Sequence, residues 1–241
     1  MAMTTFSVRV LSAALATVSA GLYCAAPALA DDSSQNSSPN SVRIGLYSVF
    51  FHVDADDLSG PFVPPGANLD ARNVETVYLA YVRTLSSRFD VELAAGYPPL
   101  QKTVGKGPAT LGSVPYDGQV IATARWIAPT VLLEYKFLSE NSMFRPYIGV
   151  GVNYTTFYDR DSTAQGNAIS GGPTKLSLTS SVGPAGTVGV RYNIAGHWHA
   201  IASYSVSKVS TDLSADTAGE IRTTHINFGP QALVVAVGYS F

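Results

Sequence analysis

Three groups of side chains in this sequence are of types that can do chemistry. The first is ionic. Arg43, Asp90, Glu92, Glu134, Lys136, Arg145 and Arg191 stand among apolar neighbours, as in Phe89-Asp90-Val91-Glu92-Leu93 and Leu133-Glu134-Tyr135-Lys136-Phe137. Ions at every second residue share one side of an extended chain. Enclosed together they must pair, because breaking a buried pair leaves an uncompensated charge. Their expected chemistry is therefore structural, a salt-bridge plug. The second group is Asp54, Asp56 and Asp57, whose carboxylates suit a hard divalent cation and equally suit a solvated loop. The third is His52, His197, His199 and His225, which lack metal-ligand spacing such as H-E-x-x-H.

Weaker signals point nowhere specific. His52 with Asp54, or His225 with Ser210, could serve a lipid-modifying enzyme that gathers a base, a hydroxyl and an acid at one rim, but no spacing selects them. Gly149-Val150-Gly151 lacks the third glycine and following helix of a dinucleotide fingerprint. Asn153-Tyr154-Thr155 matches a glycosylation sequon but sits within strand-like sequence. No catalytic set, metal site or cofactor is implied.

The elements that position the ions follow from alternation. Eight segments show apolar residues at every second place, the period of a strand and not of a helix: residues 42–53, 74–85, 89–97, 120–137, 145–158, 176–192, 198–209 and 226–241. In the last, Leu233, Val235, Val237, Tyr239 and Phe241 share one face, and Ala232, Val234, Ala236, Gly238 and Ser240 the other. The connections 86–88, 139–142 and 193–196 are short, whereas 54–73, 98–119, 159–175 and 210–225 are long. An even strand count with alternating short and long connections is the signature of a transmembrane barrel, with tight periplasmic turns and longer extracellular loops. An open sheet edge in hydrocarbon would leave N–H and C=O groups unpaired, so the eight strands must close. A soluble eight-stranded barrel would instead pack its large residues inside and present a charged exterior.

Composition agrees. Of 241 residues 46% are hydrophobic and only 13% charged, against about 25% charged in an ordinary soluble domain. The formal net charge of −2 gives no footprint for nucleic acid. Residues 1–30 carry one charge, Arg9, an apolar stretch, and Ala28-Leu29-Ala30 at the end, the pattern of a cleaved export signal. Its loss would remove Cys24, the sole cysteine. Residues 31–41 begin with the polar Asp31-Asp32-Ser33-Ser34 and read as a flexible lead-in, leaving 42–241 as the barrel.

The sequence resembles the OmpW family of small outer-membrane barrels. The resemblance is carried by Val91-Glu92-Leu93-Ala94-Ala95-Gly96-Tyr97-Pro98, by Pro129-Thr130, and most specifically by Phe144-Arg145-Pro146-Tyr147-Ile148-Gly149-Val150-Gly151-Val152-Asn153-Tyr154-Thr155-Thr156-Phe157. It continues through Gly189 to Tyr192, His197-Trp198 and the closing Val237-Gly238-Tyr239-Ser240-Phe241. Departures are Arg191, where the family often has an acid, Pro184 within the sixth strand, and the loops. The resemblance implies an outer-membrane location and passive conduction of small hydrophobic molecules, bound at the extracellular mouth and released sideways into the bilayer. It also implies recognition of the terminal aromatic Phe241 by the barrel-assembly machinery.

Eight strands enclose room only for side chains or one small ligand, which excludes a water-filled porin. Tyr47, Tyr147 and Asn153 are candidates for lining a pocket above the plug. Gly183, Pro184 and Gly186 are candidates for a lateral seam, since proline cannot donate to a ladder and glycine weakens a strand; a simple bulge would use the same residues. The expected partners are outer-membrane lipid, lipopolysaccharide and small hydrophobic molecules. A receptor or anchor role for the long loops is the alternative.

Overall fold

A computed structural model describes residues 39–111 and 114–241. The export signal and residues 31–38 of the lead-in lie outside the described residues. The chain forms β1 (Asn40–Phe50), β2 (Asp54–Ala55), β3 (Asn68–Ala71), β4 (Val74–Thr84), β5 (Phe89–Gly96) and β6 (Leu100–Lys106). A small hairpin of β7 (Thr110–Leu111) and β8 (Val114–Pro115) follows, then β9 (Val120–Ile127), β10 (Thr130–Lys136), β11 (Phe144–Ser162) and the two-turn helix α1 (Ala164–Ser170). The last elements are β12 (Thr174–Leu178), β13 (Ser181–Ala195), β14 (Trp198–Ser207), β15 (Ser210–Thr217), β16 (Glu220–Asn227) and β17 (Gln231–Ser240).

Eight of these strands close a ring of antiparallel neighbours in the order β1, β4, β5, β10, β11, β13, β14, β17 and back to β1. The closing rung joins the chain ends, with Ser41 opposite Ser240 and Phe50 opposite Gln231. Closure pairs every ladder and leaves no edge, as hydrocarbon requires.

The alternation resolves into an outside and an inside. On β17, Leu233, Val235 and Val237 are exposed, while Ala232, Val234 and Ala236 are buried in the lumen. On β11, Ile148, Val150 and Val152 are exposed, opposite buried Tyr147 and Asn153. Apolar side chains thus cover the exterior all round the ring, far beyond the few hundred Å² of contiguous apolar surface that a soluble monomer tolerates. Aromatic residues bound this belt. Phe89–Tyr135, Tyr135–Phe137, Phe144–Tyr192 and Trp198–Tyr239 contacts ring the end with short turns, and exposed Tyr97, Tyr154 and Tyr204 mark the other side. From Phe144 to Tyr154 on β11, strand rise and barrel tilt give a band about 25 Å tall, the height of an outer-membrane apolar belt.

The sequence reading underestimated the long-loop end. Residues 120–137 are two strands, β9 and β10, separated by Ala128-Pro129; residues 176–192 divide into β12 and β13; residues 226–241 divide at Phe228-Gly229-Pro230. Seven barrel strands break at this level, and only β11 runs through. Beyond it lies a second sheet in which β3 pairs β6, β6 pairs β9, β9 pairs the far half of β11, and β12, β15, β16 and β2 follow. The segments read as loops, 54–73, 98–119, 159–175 and 210–225, therefore hold strands and α1. Prolines stand at three of the seven breaks, as Pro98-Pro99, Pro129 and Pro230, and each lacks the N–H that a continuing ladder needs. β1 begins at Asn40, slightly before the boundary expected from sequence.

Candidate functional site

The seven predicted ions all lie inside the half of the barrel nearer the short turns. Arg43 of β1 is the hub. It is ion-paired with Glu92 of β5, and its Nη2 lies 3.6 Å from Glu134 Oε2 of β10. Tyr78 donates its hydroxyl to Glu92 Oε1 at 2.7 Å, and the Arg43 guanidinium lies 5.9 Å from the Tyr147 ring centroid. One layer nearer the turns, Lys136 Nζ meets Asp90 Oδ1 at 2.6 Å. Asp90 and Glu134 face each other across the β5–β10 ladder, a repulsive placement that Lys136 and Arg43 offset from opposite sides. Arg43, Asp90, Glu92, Glu134 and Lys136 are all buried, so these contacts fill the lumen.

Arg145 and Arg191 depart from the expectation that every ion would find a counter-ion. They are register partners on β11 and β13, and no carboxylate lies within ion-pair distance of either among the described residues. Arg145 Nη2 donates to Ser87 O at 2.6 Å; Arg191 donates to Asn193 Oδ1 at 2.9 Å and to Ser240 Oγ at 3.3 Å. The three acids of the set are taken by Arg43 and Lys136, and the turn carbonyls and strand-end hydroxyls supply what remains.

Tyr147 also belongs to the ion layer and not to a pocket above it. Its ring lies over Gly189, where a Cβ would stand only 2.6 Å from the phenol. Gly238 makes a matching seat for the buried His199 ring. Tyr47 and Asn153 do line space above the plug. A void of about 50 Å³ lies among Tyr47, Tyr78, Ala185 and Ser207, and one of about 40 Å³ among Tyr47, Trp126, Asn153 and Phe157. An aromatic layer spans this height: Phe51 packs edge-on to Trp126 at 6.4 Å and Phe228 at 6.0 Å, and Phe157 lies 5.8 Å from Phe228.

Above the aromatic layer the second sheet encloses a cavity of about 580 Å³, within the range of about 300–1,000 Å³ of small-molecule sites. Its wall is mainly apolar: Leu58, Leu69, Ile121, Ile169, Leu213 and Ile226 come from six separate elements and loops. Ile169 is placed by α1, which Thr163 caps by accepting the Gly166 N–H at 3.0 Å, and which Gly171 ends in the left-handed region at φ 86°. The sequence reading missed this wall. Its signal was present in the long segments, as in Thr211, Leu213 and Ala215 of β15, but two apolar residues in an eight-residue strand are too few to mark it by alternation.

The seam candidates stand in an intact ladder on one side. Gly183, Pro184 and Gly186 pair with Asn153, Val152 and Val150 of β11, so the glycines do not loosen that pairing. Gly183 instead lets the Lys208 carbonyl approach where a Cβ would clash. Toward β14 the ladder stops at Ala185–Ser207, and Lys208 N donates to Pro184 O at 3.0 Å. The missing proline N–H therefore falls on the β14 side, beside the void bounded by Ala185 and Ser207.

The histidines and loop acids stay dispersed. His225 Nδ1 lies 2.7 Å from Asp212 Oδ1, with Asp212 and not Ser210 as its register partner. Asp57 accepts a hydrogen bond from Asn68 at 3.1 Å, and the Asp56 backbone bonds to His225 and Thr224. Among the described residues no three acids or histidines gather as a metal-ligand set.

Comparison with known proteins fixes the lineage. The chain is 30% identical over 200 residues to outer membrane protein W of Vibrio cholerae, covering 83% of this chain and 87% of that protein. It is 26% identical over 226 residues to the dibenzothiophene metabolism operon protein PahQ of Pseudomonas aeruginosa, covering 91% and 95%. In fold it matches the crystal structure of OprG from Pseudomonas aeruginosa with a TM-score of 0.76 at 24% identity, over 85% of this chain and 97% of that one. AlkL in lipid bilayers gives 0.62 at 20% identity, over 90% and 97%. The apolar belt and these relatives place the chain in the bacterial outer membrane, with the short turns periplasmic and the second sheet extracellular. With the OmpW family model matching residues 41–241, the whole of the closed barrel and its extracellular sheet, the chain belongs to the OmpW family.

Proposed function

We propose that the protein is a passive, non-enzymatic uptake channel for small apolar molecules, which it takes up in the extracellular cavity and releases sideways into the bilayer. The observation that carries this reading is the 580 Å³ apolar cavity standing above a lumen filled by the Arg43–Glu92–Glu134 and Lys136–Asp90 contacts. A solute in the cavity cannot continue straight down without separating buried ion pairs, at about 3–5 kcal/mol each. Sideways, the void beside Ala185 and Ser207 adjoins the last β13–β14 rung, and beyond that rung lies hydrocarbon. A relative named for a dibenzothiophene metabolism operon is consistent with flat apolar cargo. The exterior meets outer-membrane lipid and lipopolysaccharide, and Phe241 serves recognition during assembly.

Liposomes test the reading. Reconstituted protein should speed entry of an apolar fluorescent probe and leave a sugar of similar size excluded. Ala215→Trp, which fills the cavity wall, should return probe entry to the protein-free rate. Sugar flux, or unchanged probe entry in the filled variant, would contradict the proposal.

A further inference from the structure

The wall of the extracellular cavity is apolar except at a few places, and one of them is a cation. Arg222 lies on the inward face of β16, in the row that continues through Thr224 and Ile226 to Phe228. Its guanidinium donates to Pro61 O from Nε at 3.0 Å, to Thr217 Oγ1 from Nη1 at 3.3 Å and to Ser170 O from Nη2 at 3.3 Å. Every one of these acceptors is neutral. No carboxylate lies within ion-pair distance of Arg222 among the described residues. Its charge is thus unmatched within the protein, and one N–H remains on each terminal nitrogen.

Beside several Ser and Thr hydroxyls, two further polar residues line this cavity. Tyr116 stands in the same wall, and its hydroxyl has no hydrogen-bond partner. Burial pushes its phenol pKa up, so it stays a donor. Asp70 also faces the cavity, where it accepts the N–H of Ala71 at 2.7 Å and makes no ion pair with Arg222. The Tyr116 hydroxyl is itself buried, so in this mainly apolar pocket the unmatched guanidinium is the donor offered to an oxygen head.

We infer that the preferred ligand class of the cavity is an amphiphile with a carboxylate head and an apolar body, the head meeting Arg222. The inference rests on the proposed reading of the cavity as the uptake site and narrows it. Guanidinium geometry favours a carboxylate, which can accept from both terminal nitrogens. Arg222 is half-buried, so that attraction is screened less than between fully exposed charges.

Full-length protein in zwitterionic nanodiscs should be titrated calorimetrically at neutral pH with octanoate and with octanol, each corrected against empty nanodiscs. Octanoate should bind at least about tenfold more tightly, the effect of a single charge-assisted contact. Arg222→Gln should bring the ratio close to one while octanol binding persists. Arg222→Lys should keep a preference for octanoate, because the charge remains, and Asp70→Asn should keep or increase it. Equal binding of the two ligands by the unaltered protein would overturn the inference and leave the uptake reading standing. So would loss of octanol binding in both Arg222 variants, which would make the side chain a loop clamp. If neither ligand binds the unaltered protein, both readings fall.

Discussion

Lys136 and Asp90 meet at 2.6 Å inside the barrel, with Asp90 fully buried, and that burial makes the pair asymmetric to mutation. Lys136→Met would strand the carboxylate and should lower stability by about 3–5 kcal/mol, measured as the shift of the urea midpoint in lipid vesicles. Adding Asp90→Leu to it should recover most of the loss, since an apolar pair of similar size replaces the ions. A recovery of nothing would mean that other groups hold Asp90 in place. Gly238 gives a second residue-scale test. Its missing Cβ leaves room for the His199 ring, so Gly238→Ala should cost about 1–3 kcal/mol through overpacking in the same assay. At this scale alternation identified which ions point inward. It could not say that Arg145 and Arg191 face each other, because side-chain partners depend on strand register, and register is fixed only when the ring closes.

The strands carry a second level of design at the break that interrupts seven of them. Below it the ladders form the barrel; above it the extracellular strands keep the neighbour order of the barrel strands they continue, and β11 alone belongs to both sheets. The last β13–β14 rung, Ala185–Ser207, is the place where the lateral route would open. Ala185→Cys with Ser207→Cys places two thiols on directly opposed inward positions, within disulfide reach for an antiparallel pair. Oxidation should slow delivery of an apolar probe into the bilayer, and reduction should restore it. Equal rates in both states would locate the exit elsewhere. The eight barrel strands were legible in sequence because each spans the apolar belt with a regular period. The extracellular strands were not, because β2, β7 and β8 have only two residues each and the eight-residue β15 and β16 carry few apolar residues.

For the molecule as a whole, the belt of exposed Val, Leu and Ile is stable only against hydrocarbon. Val150, 69% exposed near the middle of the belt, and Ile221, 54% exposed at the β15–β16 turn, separate the two environments. Val150→Arg should cost about 2–4 kcal/mol and Ile221→Arg about 0–1 kcal/mol, read from unfolding in vesicles. Similar costs at the two sites would contradict the membrane placement. The low charge of the chain has the same origin: outward positions meet lipid, and Arg43, Asp90, Glu92, Glu134 and Lys136 are turned inside.

By itself the sequence determined the strand period, the number of barrel strands, the inward placement of the ions and the family resemblance, since all of these are written in neighbours two residues apart. Tertiary structure decided the rest. Leu58, Leu69, Ile121, Ile169, Leu213, Arg222 and Ile226 share one cavity, yet they are scattered over more than half of the chain. What brings them together is antiparallel pairing above the strand breaks, which follows the neighbour order of the barrel and so exists only once the ring has closed.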